Sequence, residues 1–393
     1  MKYTPILSHS GKNQISIRYL AILIVVLIYF EACKVRLPID QSPTVTVFEP
    51  KGSAYASMRI PALVVSKKGT LLAFCEGRIS SASDWAEMDM LLKRSFDGGK
   101  TWDAEQIIAP RRGAEPTSNA TPIVDKNGTI HLLYQRGYAQ AFYIKSEDDG
   151  KTWTEPVDVT YVFNEFKSVY NWKVLAPGPG HAIQLENGRL VVPIWLADSD
   201  KLLPHKSHRP SCIATIYSDD YGRTWKRGDI VATNNPDFKN PSETVAVQLT
   251  DGRVMLNIRN ETAKHRRAVS YSTDGATNWS KPNFDEALYE PICMASLVKL
   301  PIEGKEGKTP LLFVNPDTQD NPKIPRKNLT GKISLDDGQN WTISKTLDSG
   351  FVGYSDLAIG KNVVYCLYES NETISRNYRI VLKIIPLKDL IRN

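Results

Sequence analysis

Along most of the chain, short apolar runs alternate with polar residues on the two-residue period of a strand. Thr129-Ile-His-Leu-Leu-Tyr134, Arg189-Leu-Val-Val-Pro-Ile194 and Arg253-Val-Met-Leu-Asn-Ile258 are examples. Such runs place alternate side chains on opposite faces, and the Gly, Asn, Asp and Pro residues that bound them are turn formers. No amphipathic helical period persists beyond a turn or two, so an all-β chain is expected. One segment breaks the pattern: Tyr19 to Phe30 is apolar without interruption.

The strand-like runs are organised by an internal repeat. Ser95-Phe-Asp97-Gly-Gly99-Lys-Thr101-Trp102 returns as Ser146-Glu-Asp148-Asp-Gly150-Lys-Thr152-Trp153 and as Ser218-Asp-Asp220-Tyr-Gly222-Arg-Thr224-Trp225. Two degraded copies begin at Ser272 and Ser334. The successive serines lie 51, 72, 54 and 62 residues apart, enough for one small sheet per repeat. Asp and Gly supply the geometry of a tight turn, and the tryptophan buries apolar surface against the same sheet. Repeats of about four strands imply a β-propeller. Five marked blades leave room for a sixth closed by the two ends of the chain, so a six-bladed propeller with Asp-box hairpin turns is expected. The Asp-box carboxylates are read as turn stabilisers.

Composition narrows the chemistry. Forty-nine Lys and Arg against 43 Asp and Glu give a net charge of +6 over 393 residues. No basic tail or stripe accompanies it beyond the short run Lys264-His265-Arg266-Arg267, which argues against nucleic acid as a partner. The excess of cation suits an anion site instead. The five cysteines at 33, 75, 212, 293 and 366 form no CxxC pair, so neither a zinc site nor a disulfide framework is expected. Four lie in apolar strand-like runs and read as buried small hydrophobes. His205 and His208 form an HxxH without acidic or thiol partners and read as a surface loop. The long interval between the second and third repeats, which holds them, reads as an extended loop reaching over a substrate.

Lys2, Lys12 and Arg18 precede the apolar segment, and Glu31-Ala32-Cys33 follows it. Twelve apolar residues are too few to span a bilayer but suit the apolar core of a secretory signal. Ala32-Cys33 resembles the end of a bacterial lipobox, although Phe30 and Glu31 depart from the residues usual before it. Lipidation of Cys33 with membrane attachment, cleavage elsewhere and an uncleaved anchor all export the chain. The expected organisation is a signal at 1–33, a polar Pro-containing linker at 34–45 and a monomeric propeller at 46–393.

Residues outside the turns carry a resemblance. Arg59-Ile60-Pro61 resembles the Arg-Ile-Pro motif of the bacterial-type sialidases. Glu76-Gly77-Arg78 then leads through a Ser-rich loop to Asp84, where that family places its acid/base aspartate. Ser242-Glu243-Thr244 stands sixteen residues before Arg259, Pro325-Arg326-Lys327 precedes the last Asp-box, and Gly353-Tyr354-Ser355 and Leu367-Tyr368-Glu369 follow in the family's order. The resemblance covers residues 48 to 390 and includes Pro177-Gly178-Pro179-Gly180-His181. It implies an exo-α-sialidase acting on sialylated glycans, without metal or organic cofactor.

The residue types suit that chemistry. A sialic acid carries a carboxylate on its anomeric carbon, and arginine meets a carboxylate with two parallel charge-assisted bonds. The resemblance assigns this to Arg59, Arg259 and Arg326, with Glu369 orienting Arg59 and Arg78 lining the same pocket. A neutral phenol escapes the repulsion that a carboxylate nucleophile would meet, which suits Tyr354 as nucleophile and Glu243 as its base. Asp84 becomes the acid/base, with Asp89 a nearby competitor that reads better as a structural partner. A non-catalytic glycan-binding propeller, a trans-sialidase or intramolecular enzyme, and a preference for deaminated sialic acid stay open. Trp85 and Trp172 are candidates for the pocket aromatics that would distinguish them.

Overall fold

Each Asp-box folds as a self-satisfied turn. In the first, Ser95 Oγ donates to Asp97 Oδ1 at 2.8 Å, while the Thr101 amide and hydroxyl donate to the two Asp97 oxygens at 3.0 and 2.6 Å. The boxes at Asp148 and Asp220 repeat this pattern, and Asn340 replaces the threonine in the last. The carboxylates are thus consumed by the turns, as the sequence suggests.

The computed structural model describes residue 1 and residues 35–199, 207–319, 326–373 and 378–391. Apart from residue 1, the expected signal at 1–33 with its Cys33 lies outside the described residues, as does His205. The chain is all-β, with sheets in a propeller-like succession. The first antiparallel sheet comprises Ser57–Val65, Leu71–Arg78, Met88–Ser95 and Gln106–Ala109. The second runs from Thr117–Val124 to Val157–Asp158, the third from Val174–Pro177 to Lys226–Thr233, and the fourth from Thr244–Gln248 to Asn283–Tyr289. An eight-stranded sheet follows, in which the twenty-residue strand Trp341–Gly360 pairs with Lys327–Ser334 along its first half and with Val363–Asn371 along its second.

The sheets lean on one another in order. A Cβ added at Gly150 would collide with Leu72 of the first sheet, at Gly222 with Tyr143 of the second, and at Gly275 with Val191 of the third. At Gly99 it would meet Leu382, so the first sheet leans on the last. The apolar core lies in separate clusters between neighbouring sheets. Cys75, Cys212, Cys293 and Cys366 are free and buried.

Two features differ from the sequence reading. The expected linker at 34–45 is partly built into the sheet: Val35–Leu37 pairs parallel to Ile343, Ser344 and Lys345, and the Asp40 amide donates to Thr346 O at 2.9 Å. Thr44–Phe48 then forms the edge strand beside Arg379–Pro386. The 72-residue interval before the third Asp-box also holds a short helix, Thr160–Asn164, and a 3₁₀ turn, Glu165–Ser168. Val162, Phe163 and Phe166 from these turns fill the core between the second and third sheets. Trp172 belongs to this core, donating to Phe163 O at 2.8 Å, and not to the pocket rim.

Candidate active site

The first strand of a sheet begins, and the second ends, at the edge opposite the Asp-boxes. This geometry brings residues far apart in sequence around one cavity of about 290 Å³. Arg59, Arg78, Asp84, Glu243, Arg259, Arg326 and Tyr354 all line it, and Glu369 lies directly behind Arg59.

Glu369 is fully buried and accepts four hydrogen bonds. Arg59 Nε and Nη2 reach its two oxygens at 3.0 and 3.2 Å, and the Ile60 and Tyr354 amides complete them at 2.9 and 3.0 Å. Ile60 adopts φ 57°, a costly conformation for a β-branched residue, inside a bulge between Arg59 and Ala62. The bulge turns its N–H toward the carboxylate. Glu76 is used in the same way: it takes Arg78 Nε and Nη2 at 3.0 and 2.6 Å and the amide of Asn119, itself at φ 63°, at 3.0 Å. Each carboxylate compensates the charge of its buried arginine, which would otherwise carry a large desolvation cost.

Tyr354 sits among three guanidinium groups, with Arg59, Arg259 and Arg326 at 5.4, 6.0 and 5.2 Å from its ring centre. Its hydroxyl donates to Glu243 Oε1 at 2.5 Å and accepts from Arg259 Nη1 at 2.6 Å. Arg259 also donates to Glu243 Oε2. Arg326 is steered by the backbone, donating to Ile292 O at 2.6 Å. Burial pushes the Tyr354 phenol well above its ordinary pKa; Arg259 and Arg326 pull it down and Glu243 pushes it up, and burial prevails. The phenol therefore keeps its proton until a base takes it.

Asp84 stands at the mouth of the cavity, its side chain 39% exposed. It accepts from Arg78 Nη1 at 2.9 Å and from Arg59 Nη1 at 3.5 Å. Burial alone would raise its pKa, but Arg78 and then Arg59 outweigh it and hold the carboxyl well below the usual range. Asp89 is buried beneath this loop, accepting from Tyr55 OH at 3.1 Å and from the Arg111 amide at 2.7 Å. It does not reach the cavity.

Several lining residues escaped the sequence reading. Glu76, Asn119, Tyr138, Trp195, Arg209 and Glu261 were not singled out, because they reach the cavity from four different sheets. His208, read as part of a surface loop, instead lines the cavity with its ring against Trp85, Tyr138 and Trp195.

With the fold and this cluster established, the class of protein follows: the chain belongs to the BNR repeat-like domain family, whose pattern matches residues 45–366. Within that class it is similar to a sialidase of Bacteroides fragilis, 31% identical over 372 residues. The match spans 86% of this chain and 63% of that protein. A sialidase of Micromonospora viridifaciens is 30% identical over 345 residues, covering 80% of this chain and 50% of the relative. The chain thus spans half to two thirds of the length of these relatives. Among solved structures, the Hadza microbial sialidase Hz136 superposes with a TM-score of 0.72 at 29% identity, covering 88% of this chain and 69% of the other.

Proposed function

We propose that the protein is an exo-α-sialidase, a retaining glycoside hydrolase that removes terminal α-linked sialic acids from glycoproteins, glycolipids and oligosaccharides. The observation that carries this reading is the Tyr354 hydroxyl held between the Glu243 carboxylate and the Arg259 guanidinium, in a cavity that Arg59 and Arg326 also face. The propeller is read as six-bladed, with Trp341–Gly360 shared between a fifth and a sixth blade and Thr44–Phe48 closing the sixth. The apolar segment at 19–30 is read as part of an export signal.

The three arginines take the substrate carboxylate, which fixes the anomeric carbon beside Tyr354. The phenolic oxygen attacks that carbon as its proton passes to Glu243, and Arg259 stabilises the charge that develops on the oxygen. The glycosidic bond breaks as Asp84 delivers a proton to the departing oxygen. A water then gives its proton to Asp84 and attacks the same carbon, and the tyrosine leaves with the proton returned from Glu243. Two displacements restore the original configuration.

Arg78 and Arg59 favour the ionised form of Asp84, whereas this scheme needs it protonated. The substrate supplies the change. Its carboxylate competes for Arg59 and adds negative charge beside Asp84, and both effects raise the affinity of Asp84 for a proton.

Release of a fluorophore from an α-linked sialic acid aryl glycoside tests the reading. The parent should release it, and Tyr354→Phe should lose nearly all activity with folding intact. A well-folded parent that releases nothing, from this or a deaminated substrate, would leave a glycan-binding propeller instead.

A further inference from the structure

The loop that carries Asp84 is tethered from two sides. From inside, Arg78 Nη1 donates both to Asp84 Oδ1 and to Ala82 O, the latter at 2.6 Å. From outside, the next residue, Trp85, stacks on His208, with ring centres 5.2 Å apart and planes 28° from parallel. His208 belongs to a different part of the ring, the connection between Leu190–Ala197 and Ser211–Ser218 of the third sheet. Its ring also meets Tyr138 and Trp195 at 5.0 and 5.1 Å, so it is wedged among three aromatics.

The segment holding His208 is itself anchored. Arg209 Nε donates to the two Glu261 oxygens at 2.8 and 2.7 Å, and Asn240 Nδ2 holds Glu261 Oε2 at 2.9 Å. Among the described residues His208 Nε2 is buried without a hydrogen-bond partner, and the contacts seen for the side chain are the ring contacts with Trp85, Tyr138 and Trp195. Burial lowers the pKa of the imidazole against the pull of Asp84 and Glu243, which keeps the ring uncharged. A third cation, beside Arg78 and Arg59, would hold Asp84 ionised more strongly still.

We propose that His208 is a positioning residue for Asp84: its ring, clamped on Trp85, fixes the acid/base loop against the third-sheet connection. The inference rests on the sialidase reading with Asp84 as the proton donor. A displacement of about 1 Å at a reacting group costs on the order of 10²-fold, and acid help is worth about 10²–10⁴-fold. The loss falls on substrates whose leaving group needs a proton, which a general structural defect would not select.

The test compares α2,3-sialyllactose, a poor leaving group, with a 4-nitrophenyl α-sialoside, a good one. His208→Ala should lower kcat/KM on sialyllactose by about 10–100-fold and on the aryl glycoside by less than about 3-fold. His208→Phe, which keeps a ring, should recover most of the difference. Trp85→Ala should mimic His208→Ala, and the double variant should be no worse than either single one, as expected of partners in one contact. Thermal unfolding of each variant checks the fold. Equal losses on both substrates, or a His208→Phe as poor as His208→Ala, would overturn the proposal. Asp84→Ala is the control: selective loss there without selective loss in His208→Ala refutes only the role of His208. No selectivity in Asp84→Ala refutes the acid assignment and the proposal with it.

Discussion

The Tyr354 amide donates to Glu369 Oε2 at 3.0 Å, so the carboxylate that pairs with Arg59 also fixes the main chain of the proposed nucleophile. The Arg59 side chain and the Tyr354 main chain are thereby joined at one fully buried group. Removing Glu369 as Ala leaves two amides unpaired and Arg59 with only the longer contact to Asp84, and loss of one partner of a buried pair costs about 3–5 kcal/mol. Urea unfolding should show that loss.

Gly353 lies against the same carboxylate, where any Cβ would collide with Glu369 Oε2. Gly353→Ala is expected to shift Tyr354 away from Glu243 and lower kcat by about 10²-fold, the scale of a misplaced reacting group. Single-turnover kinetics, which isolate the chemical steps, would read it.

Arg326→Lys keeps the charge but loses the planar fork. The expected effect is a rise in KM of about tenfold or more for the sialoside, since a hydrogen bond to a charged group contributes about 1.5–3 kcal/mol. Steady-state kinetics with Arg326→Lys and Arg326→Ala in parallel would separate the charge from the fork.

Asp220→Ala should leave the kinetics untouched, unlike Gly353→Ala and the Arg326 variants. Its carboxylate holds only the third Asp-box turn, through Ser218 and Thr224. Stability should fall by about 1 kcal/mol, the scale of a lost capping carboxylate, while kcat and KM remain those of the parent. A fall in kcat at full occupancy of the folded state would contradict the turn assignment.

A pH dependence follows from His181. Its Nδ1 lies 2.6 Å from the buried Asp356 carboxylate, which also accepts from the Leu63 and His181 amides and from Ser296 Oγ. Burial lowers the imidazole pKa, but Asp356 outweighs it and the net shift is upward from 6.5. A folded-state pKa above the unfolded one stabilises the protein below the unfolded value and loses that contribution as pH rises through the folded value. The melting temperature should therefore decline from about pH 6.5 upward, and His181→Gln should flatten that decline.

Much of the candidate site could be read from sequence because its residues stand beside short motifs that resemble those of a known family. Arg59 precedes Ile-Pro, Asp84 follows Glu-Gly-Arg, and Tyr354 follows a glycine whose absent Cβ makes room for Glu369. The Asp-boxes were legible for a similar reason, since each turn is satisfied within seven residues. Glu76, Asn119 and Asp356 were not, because their partners come from other sheets: Glu76 meets Asn119 across the first and second, and Asp356 meets Leu63 and His181 across three. His208 was misplaced because a polar, Pro-flanked stretch reads as solvent-exposed, while the aromatics that cover it are scattered over residues 85 to 195. The expected linker was misjudged because a three-residue strand is too short to show alternation.

The pairing of Thr44 with Lys383 sets the order of biosynthetic events. Thr44–Phe48 is synthesised well before Arg379–Pro386, so this pairing waits until the intervening sheets have left the ribosome. Until then Thr44–Phe48 is a five-residue strand with free amides and carbonyls, a template for pairing with another chain. The pairing also joins segments far apart in sequence, so a large loop entropy opposes it. Thr44–Phe48 and Arg379–Pro386 thus act as a clasp, and its engagement covers strand edges that would otherwise stay open to another chain.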